Sequence, residues 1–276
     1  MISVRQKTPA VYSAVIVFLF KTVALFLFCV IIIFMRIDKL LCEMNIGSRS
    51  EVKGLLKKGQ ILVNGIPVTK PEAKVDEHSV VVTFKGKEYR YRPYVYYMLN
   101  KPAGVVSATT DDYDETVLDL LRKHLLMRND GEEAGIPIND VFPVGRLDKD
   151  TVGLLLLTND GELSHRLLSP KRHVPKTYYV ETNEVLYEDM RLNLEKGVDI
   201  GDEKLTKEAS VTVIGDKKYQ ITITEGRYHQ VKRMVGAVGL KVLYLKRLSM
   251  GRLVLDDSLK EGEIRELTEE EVEALC

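Results

Sequence analysis

The stretch VGRLDKDTVGLLLLTNDGEL, residues 144–163, places a carboxylate beside one of the chain's apolar runs. Residues 153–157 predict a buried strand, TNDG at 158–161 predicts a turn, and residues 162–170 predict a helix. A carboxylate next to a core strand is costly unless it is paired, solvated or used in chemistry. Asp148 therefore has to be explained by what the rest of the chain places around it.

The bulk composition is that of a globular protein with an uneven distribution of charge. The chain has 276 residues, 45% of them hydrophobic and 29% charged, which gives room for about two domains of roughly 100–200 residues. Its 40 basic and 40 acidic residues cancel. Residues 256–276 hold nine acids and two bases, so the preceding 255 residues hold 38 bases and 31 acids. This basic body is compatible with a polyanionic partner.

Metal, disulfide and nucleotide-cofactor chemistry find no support in the sequence. Cys29, Cys42 and Cys276 have no paired spacing and no histidine cluster nearby, which disfavours a zinc site or a disulfide framework and favours a reducing compartment. Neither a P-loop nor a G-x-G-x-x-G motif occurs. We therefore expect a cytoplasmic protein that uses no cofactor and no metal.

The first 34 residues differ from the rest of the chain. Residues 10–34 contain one charge, Lys21, in 25 positions, and about 20 apolar residues suffice to span a bilayer. A secretory signal fits less well, because the apolar core is too long and no small-residue cleavage site follows. Two interpretations stay open for residues 1–34: a transmembrane anchor that would tether the protein, or a mis-assigned start upstream of Met35.

Residues 35–92 predict two helices followed by short strands. Ile37, Leu40, Leu41 and Met44 share one helical face. Ser48 and the glutamate three residues later have the spacing of a capping box at the start of a second helix. The Asn-Gly pair at 64–65 is a strong hairpin signal.

Basic residues dominate this segment, with 11 bases against 7 acids over residues 35–90. Those on the second helix form one set: Arg49, Lys53, Lys57 and Lys58. A charged run by itself is more often a solvated helix face. Two short helices, a basic face and a hairpin in this order nevertheless resemble the S4-like RNA-binding module, whose basic surface would grip phosphates with little sequence choice.

Residues 93–256 predict a second domain, which begins near the Arg-Pro step at 92–93. Strand-like and helix-like segments mix here without a regular βα repeat. This pattern predicts an α+β domain with a mixed, mostly antiparallel sheet flanked by helices. We interpret residues 257–276 as an acidic C-terminal tail, for which a solvated helix is the simplest structure.

Four fragments in this domain occur in a telling order. Behind the S4-like module, the chain carries LNKPAGVVS (99–107), the quoted stretch continued by SHRLLSP to residue 170, KTYYV (176–180) and EGRYHQVKRMVGAVG (225–239). Together they closely resemble the RsuA branch of bacterial rRNA pseudouridine synthases, over residues 35–256. The resemblance implies a monomeric, cofactor-free isomerase that converts one uridine of 16S rRNA, uridine 516, to pseudouridine.

The resemblance also implies roles for individual residues. Asp148 would be the catalytic carboxylate, acting either as a nucleophile or by taking a ribose proton. Tyr178 would stack on the uracil and offer its hydroxyl near C5. Lys232 would be the cation that keeps Asp148 ionised. Arg146 would fill the space left by the flipped base or hold its phosphate, and the apolar run 154–157 would form the pocket floor.

Other polar residues have less specific interpretations. Lys101 would contact RNA phosphate or position a loop, and Arg227 would contact RNA. We interpret Asp150 as a residue that forms a turn. His229 and Gln230 are interpreted as polar residues at the start of a helix. The alternative function is a catalytically silent RNA-binding ribosome-assembly factor of the same fold, although the intact set of catalytic residues weighs against it.

Overall fold

The computed structural model describes residues 34–129, 134–136 and 138–275. The proposed anchor or upstream start, apart from its last residue, lies outside these residues. Across the described ranges, no helix combines the length and apolar character needed to cross a membrane. The chain divides into two compact units: within the described ranges, the first holds residues 34–42 and 48–91, and the second holds residues 43–47 and those from Arg92 onward.

The first unit contains two short helices and two small antiparallel sheets. Its helices are α1 (Ile37–Glu43) and α2 (Arg49–Lys57). Its strands are β1 (Phe34–Arg36), β2 (Ile61–Val63), β3 (Ile66–Pro67), β4 (Lys74–Asp76), β5 (Val81–Phe84) and β6 (Lys87–Arg90). β1 pairs with β4, and the other four strands are ordered β3-β2-β5-β6.

Local signals in the first unit act as predicted. The side chain of Ser48 accepts a hydrogen bond from the backbone N–H of Glu51 at 3.4 Å, and the Glu51 carboxylate accepts from the N–H of Ser48 at 2.8 Å. This confirms the capping box. Asn64 and Gly65 have φ values of 50° and 80°, as a two-residue hairpin turn requires. The four basic residues of α2 and its end are all exposed, while Val52 and Leu56 are buried.

The second unit is built on a nine-stranded sheet with flanking helices. Its helices are α3 (Val117–Arg128), α4 (Gly161–Leu168), α5 (Glu188–Lys196), α6 (Gln230–Ala237) and α7 (Glu269–Leu275). Its strands are β7 (Tyr96–Lys101), β8 (Phe142–Pro143), β9 (Val152–Thr158), β10 (Lys176–Thr182), β11 (Ser210–Gly215), β12 (Lys218–Ile223), β13 (Val242–Met250), β14 (Leu253–Val254) and β15 (Ile264–Glu266).

The sheet has the order β11-β12-β10-β13-β9-β7-β15, with β8 on β9 and β14 on β13. β9 and β13 run parallel, and every other described pair in the sheet is antiparallel. The predicted fold class, α+β with a mixed, mostly antiparallel sheet, is therefore confirmed.

The apolar run of the quoted stretch forms β9, an interior strand buried along its whole length. Leu155 and Leu157 pack in one hydrophobic cluster, whereas Leu154 and Leu156 pack in another. Alternate side chains of a strand point to opposite faces, so both faces of β9 are covered. An uninterrupted run of leucines is what a strand buried on both faces needs.

Gly153 permits the parallel contact between β9 and β13. Its φ is +100°, and a Cβ added there would lie 2.3 Å from the backbone oxygen of Arg247. Any larger residue would have to move the neighbouring strand. The glycine in this stretch therefore brings β13, and the residues it carries, close to the start of β9.

The acidic C-terminal segment differs from the expected tail. Its residues 264–266 form β15, which pairs with β7 at the edge of the sheet. α7 follows, and its Leu275 is buried in the same cluster as Leu154. A few apolar side chains spaced among the acids are enough to dock the segment, because the acidic side chains between them can face water. Residues 257–275 are thus part of the second unit.

Candidate active site

Asp148 lies on the loop between β8 and β9, and this loop is held by backbone hydrogen bonds. The hydroxyl of Ser107 donates to the carbonyl oxygen of Leu147 at 2.9 Å and accepts from its N–H at 3.1 Å. The N–H of Gly104 donates to the carbonyl oxygen of Lys149 at 2.8 Å. The N–H of Thr151 donates to the carbonyl oxygen of Asp148 at 3.1 Å. The catalytic candidate is thus carried by a fixed turn.

Lys101 is the largest single anchor of this loop. Its side chain is fully buried, and its Nζ donates to the carbonyl oxygens of Pro102, Asp148, Lys149 and Thr151 at 3.0–3.3 Å. Burial lowers its pKa to about 8, against an opposing effect of nearby carboxylates. Because its ammonium is enclosed by protein, this geometry favours the loop-positioning interpretation of Lys101 over a contact with RNA phosphate.

The carboxylate of Asp148 meets two cationic or polar groups from the start of α6. Lys232 Nζ lies 2.9 Å from Oδ2, and His229 Nε2 lies 3.4 Å from Oδ1. The side chains of Asp148, Lys232 and His229 are 27%, 23% and 37% exposed. The predicted ion pair between Asp148 and Lys232 is therefore present, in a partly buried setting where charges interact more strongly than in water.

Lys232 also bridges to the second carboxylate of the motif. Its Nζ lies 2.5 Å from Oδ1 of Asp150. Burial lowers the pKa of Lys232, but the hydrogen bonds to Asp150 and Asp148 outweigh it, so the pKa is raised. The same bond to Lys232 is the main reason that the pKa of Asp150 is lowered. Asp150 was expected only to form the turn; the structure makes it a second partner of the lysine.

His229 is the residue near Asp148 that the sequence interpretation missed. It caps α6 with left-handed backbone angles, φ 47° and ψ 34°, and its ring stacks on Tyr228 at 3.7 Å between centroids. Residues three apart on a helix share one face, so the His229-Lys232 spacing was the available signal. Gln230 acts as expected for a helix start: its side chain binds the N–H of Arg227 and the carboxylate of Glu225.

A cavity of about 130 Å³ opens beside Asp148. Tyr178, which is 8% exposed, lines it together with the apolar residues Leu147, Leu168, Ile223, Val231 and Leu245. The prediction that residues 154–157 form its floor is wrong. Those leucines belong to an interior strand and point into two cores, so the apolar wall comes from neighbouring strands instead.

Two further cations line this cavity, Lys176 on β10 and Arg247 on β13. Both are buried. Burial alternates along β10, which puts Lys176 on the same face as Tyr178, and this alternation could have identified it. Arg247 stands two residues after Leu245 on the strand that pairs with β10, so its position depends on a nonlocal register.

Of the three arginines predicted to bind RNA, the two in the second unit, Arg146 and Arg227, differ in their surroundings. Arg146 is exposed and borders both the 130 Å³ cavity and an adjoining one of about 690 Å³. The guanidinium of Arg227 instead binds Glu225 and Asp202 and donates to the carbonyl oxygens of Lys204 and Leu205 at 2.7 and 2.8 Å. Its donors hold a loop, although Arg227 also borders both cavities, so its contact with RNA stays a prediction. The described residues contain no group of His, Cys, Asp and Glu able to hold a metal.

Known proteins resemble both units. The chain matches the RNA pseudouridylate synthase family over residues 95–237 and the S4 domain over residues 35–81. An uncharacterized RNA pseudouridine synthase of Bacillus subtilis (strain 168) is 49% identical over 245 residues, which cover 87% of this chain and 98% of the relative. The ribosomal small subunit pseudouridine synthase A of Vibrio cholerae is 39% identical over 242 residues, covering 87% and 99%.

A solved structure agrees with these relatives. The crystal structure of a pseudouridylate synthase superposes with a TM-score of 0.59 at 35% identity, and the match covers 88% of this chain and all of the other. The fold and site therefore define an S4 domain followed by an isomerase domain. The chain belongs to the RNA pseudouridylate synthase family, as its sequence motifs predict, and several of its relatives are of the RsuA type.

Proposed function

We propose that the protein converts a uridine of 16S rRNA, uridine 516, to pseudouridine, and that Asp148 is its catalytic residue. The observation that carries the assignment of Asp148 is its ion pair with Lys232 at the edge of a cavity lined by Tyr178. The small-subunit target is supported by the name of the Vibrio cholerae relative. An rRNA substrate makes the cytoplasm the proposed site of action.

The proposed reaction begins with a base that has left its stack. The cavity of about 130 Å³ suits a single ring, and its lining combines apolar and aromatic side chains with hydrogen-bonding groups, which is how enzymes hold a flipped base. The phenol ring of Tyr178 would stack on the uracil, while Arg146 at the exposed mouth would contact the backbone or fill the gap. Residues 35–92 would hold flanking RNA through the basic face of α2, and residues 93–256 would carry out the chemistry.

The carboxylate of Asp148 would then act on the nucleotide. Either it attacks carbon as a nucleophile, or it removes a ribose proton so that a glycal forms. Both routes use the carboxylate of Asp148, whose Oδ2 lies 2.9 Å from the ammonium of Lys232. The uracil turns, and C5 bonds to C1′ as the bond to Asp148 breaks or the ribose proton returns. C5 then loses its proton and N1 gains one. The reaction is an isomerisation, so it requires no external group.

A pair of isosteric variants tests the role of Asp148. Asp148→Asn and Asp150→Asn each remove one carboxylate bound to Lys232, so Asp150→Asn is a matched control for the loss of the ion pair. We expect Asp148→Asn to bind 16S rRNA fragments with wild-type affinity but to form no pseudouridine detectable by carbodiimide treatment and primer extension. Asp150→Asn should retain activity within about tenfold.

Two outcomes would contradict the proposal. An active Asp148→Asn protein would remove Asp148 from the catalytic role. A wild-type protein that binds the RNA without modifying it would favour the silent assembly factor. Mapping of pseudouridine in 16S rRNA from cells with and without the gene tests the target itself, because loss of modification at a position other than 516 would reassign the substrate.

A further inference from the structure

Lys176 and Arg247 line the cavity as buried cations without a carboxylate partner. They are 7% and 2% exposed. In the described part of the chain neither forms an ion pair: Lys176 Nζ donates to the carbonyl oxygen of Val174 at 3.1 Å, and Arg247 Nε to that of Leu154 at 2.7 Å. Burying an uncompensated charge is costly. Two such charges at one cavity indicate a ligand that compensates them.

Arg247 retains a donor that the fold does not use. Its Nη2 is buried and has no hydrogen-bond partner among the residues that the structure describes, although a guanidinium offers five N–H donors. Tyr178 is the residue opposite Arg247 in the pairing of β10 with β13. Leu245, two residues earlier on β13, also lines the cavity. The unused donor therefore belongs to the part of the cavity that holds Tyr178.

The position of Arg247 favours contact with the base over contact with the RNA backbone. Arg247 borders only the smaller cavity, as do Tyr178 and Lys232. The adjoining cavity of about 690 Å³ is bordered by Tyr228, which does not line the smaller one, and by Arg146, which lines both. The wider cavity has room for sugar and phosphate, and the smaller one for a ring. Lys176 borders both.

We propose that Arg247, supported by Lys176, binds a carbonyl oxygen of the target uracil and stabilises the negative charge that the ring acquires during the reaction. This inference rests on the proposed function. When the C1′–N1 bond breaks, its electron pair stays with the ring, whose charge spreads to O2 and O4. In one route Asp148 bonds to C1′, and that bond breaks when C5 bonds to C1′. In the other route a proton leaves C2′ to give a glycal, and it returns to C2′ when C5 bonds to C1′. The C5 proton then departs and N1 regains a proton, so atoms and electrons balance.

The surroundings of Lys176 are consistent with this role. Burial, and then the positive charge of Arg247, lowers the pKa of Lys176. An anionic ring between the two cations would oppose both effects. Preorganised donors aimed at a developing negative charge in a water-poor site are an effective form of catalysis, and removal of one such donor costs about 10²–10³ in kcat.

The test combines a protein variant with altered substrates. Arg247→Met removes the guanidinium and keeps an apolar stem, and it is assayed in the full-length protein under single turnover. The substrates are 16S rRNA fragments that carry uridine, 2-thiouridine or 4-thiouridine at the target position. Sulfur accepts hydrogen bonds weakly, so it disrupts the contact at whichever oxygen Arg247 binds.

We expect Arg247→Met to lower the single-turnover rate on uridine by about 10²–10³-fold, with less than a threefold change in the Kd for RNA. The ratio of the wild-type rate to the Arg247→Met rate should be at least tenfold smaller on one of the two thio-substrates. The position of sulfur in that substrate identifies the uracil oxygen that Arg247 binds. Lys246→Met is the matched control: Lys246 is the preceding residue on β13, is half-buried, and does not line the cavity. It should react at the wild-type rate on all three substrates.

Two outcomes would overturn the inference. If Arg247→Met lowers the rate by the same factor on all three substrates, the role of Arg247 is structural. If it raises the Kd for RNA and leaves the rate unchanged, Arg247 contacts a phosphate. If Arg247→Met does not fold, Lys176→Met carries the same comparison, because its Nζ holds only one backbone carbonyl. A wild-type protein that makes no pseudouridine refutes the proposed function. An active wild type with an unaffected Arg247→Met refutes this inference alone.

Discussion

Replacing Lys101 with methionine tests how the catalytic loop is held. The ammonium of Lys101 is fully buried and donates to four carbonyl oxygens, three of them on the loop of Asp148. Methionine has a similar length but no donor. The substitution therefore removes the hydrogen bonds while it leaves the packing of the stem largely intact, and any loss of stability reports on the bonds.

The size of the effect follows from two opposing contributions. Four carbonyl oxygens lose a charged donor, at about 1.5 kcal/mol each, or about 6 kcal/mol. Against this, the variant no longer buries a charge. The pKa of Lys101 falls from 10.5 to about 8, which corresponds to about 3 kcal/mol of unfavourable burial. We expect Lys101→Met to lower the free energy of unfolding by about 3 kcal/mol at pH 7.

Unfolding by denaturant at pH 7 measures this loss, with Lys149→Met as the control. Lys149 is the exposed lysine of the same loop, and its ion pair with Asp114 is worth less than about 1 kcal/mol. A difference between the two variants of less than about 1 kcal/mol would refute the reasoning. It would mean that water or neighbouring groups satisfy the four carbonyls when Lys101 is absent.

The pH dependence gives an independent check of the same burial. Between about pH 8 and 10.5, Lys101 is deprotonated in the folded state but protonated in the unfolded state. The unfolded state then binds more protons, so this group makes the wild type more stable as the pH rises. The unfavourable burial is fully present below about pH 8. The stability difference between wild type and Lys101→Met should therefore widen between pH 8 and 10; a constant difference would show that Lys101 titrates normally.

Two further predictions concern the charges that hold the catalytic group and the RNA. Lys232→Met removes the cation 2.9 Å from Asp148, and we expect a single-turnover rate about 10²-fold lower with RNA affinity within threefold; a rate within threefold of wild type would contradict this. Replacing all four exposed basic residues of α2 and its end by glutamine should reduce the slope of log K against log salt by about 3, measured by fluorescence anisotropy, with little change in rate at saturating RNA. An unchanged slope would mean that RNA does not touch this face. These four residues are Arg49, Lys53, Lys57 and Lys58.

The local elements could be predicted because their signals lie within a few residues of one another. The capping box of α2 needs only Ser48 and Glu51, and the hairpin turn needs only Asn64 and Gly65. The same holds for the motif order that identifies the family. Such signals depend on backbone angles and short spacings, which the sequence states directly.

The features that the sequence did not reveal depend on where a side chain points after the sheet has formed. Lys101 is the last residue of β7, and the loop at 147–151 folds over it and encloses its ammonium. The guanidinium of Arg227 donates hydrogen bonds to the carbonyl oxygens of Lys204 and Leu205, which lie on another loop. The leucines of β9 face two cores, because that strand has neighbours on both edges and cover on both faces.

By itself, the sequence determined the α+β class and the S4 and pseudouridine synthase domains. It also identified Asp148, Tyr178 and Lys232 as candidate site residues. Only the tertiary structure decided that His229 reaches the same carboxylate, that Asp150 shares the lysine, and that Lys176 and Arg247 face the cavity. The physical reason is that these contacts join segments far apart in the sequence, separated by 82 residues in the case of Lys232 and Asp150. The distance between such segments is fixed by strand pairing and core packing, so local sequence patterns do not predict it.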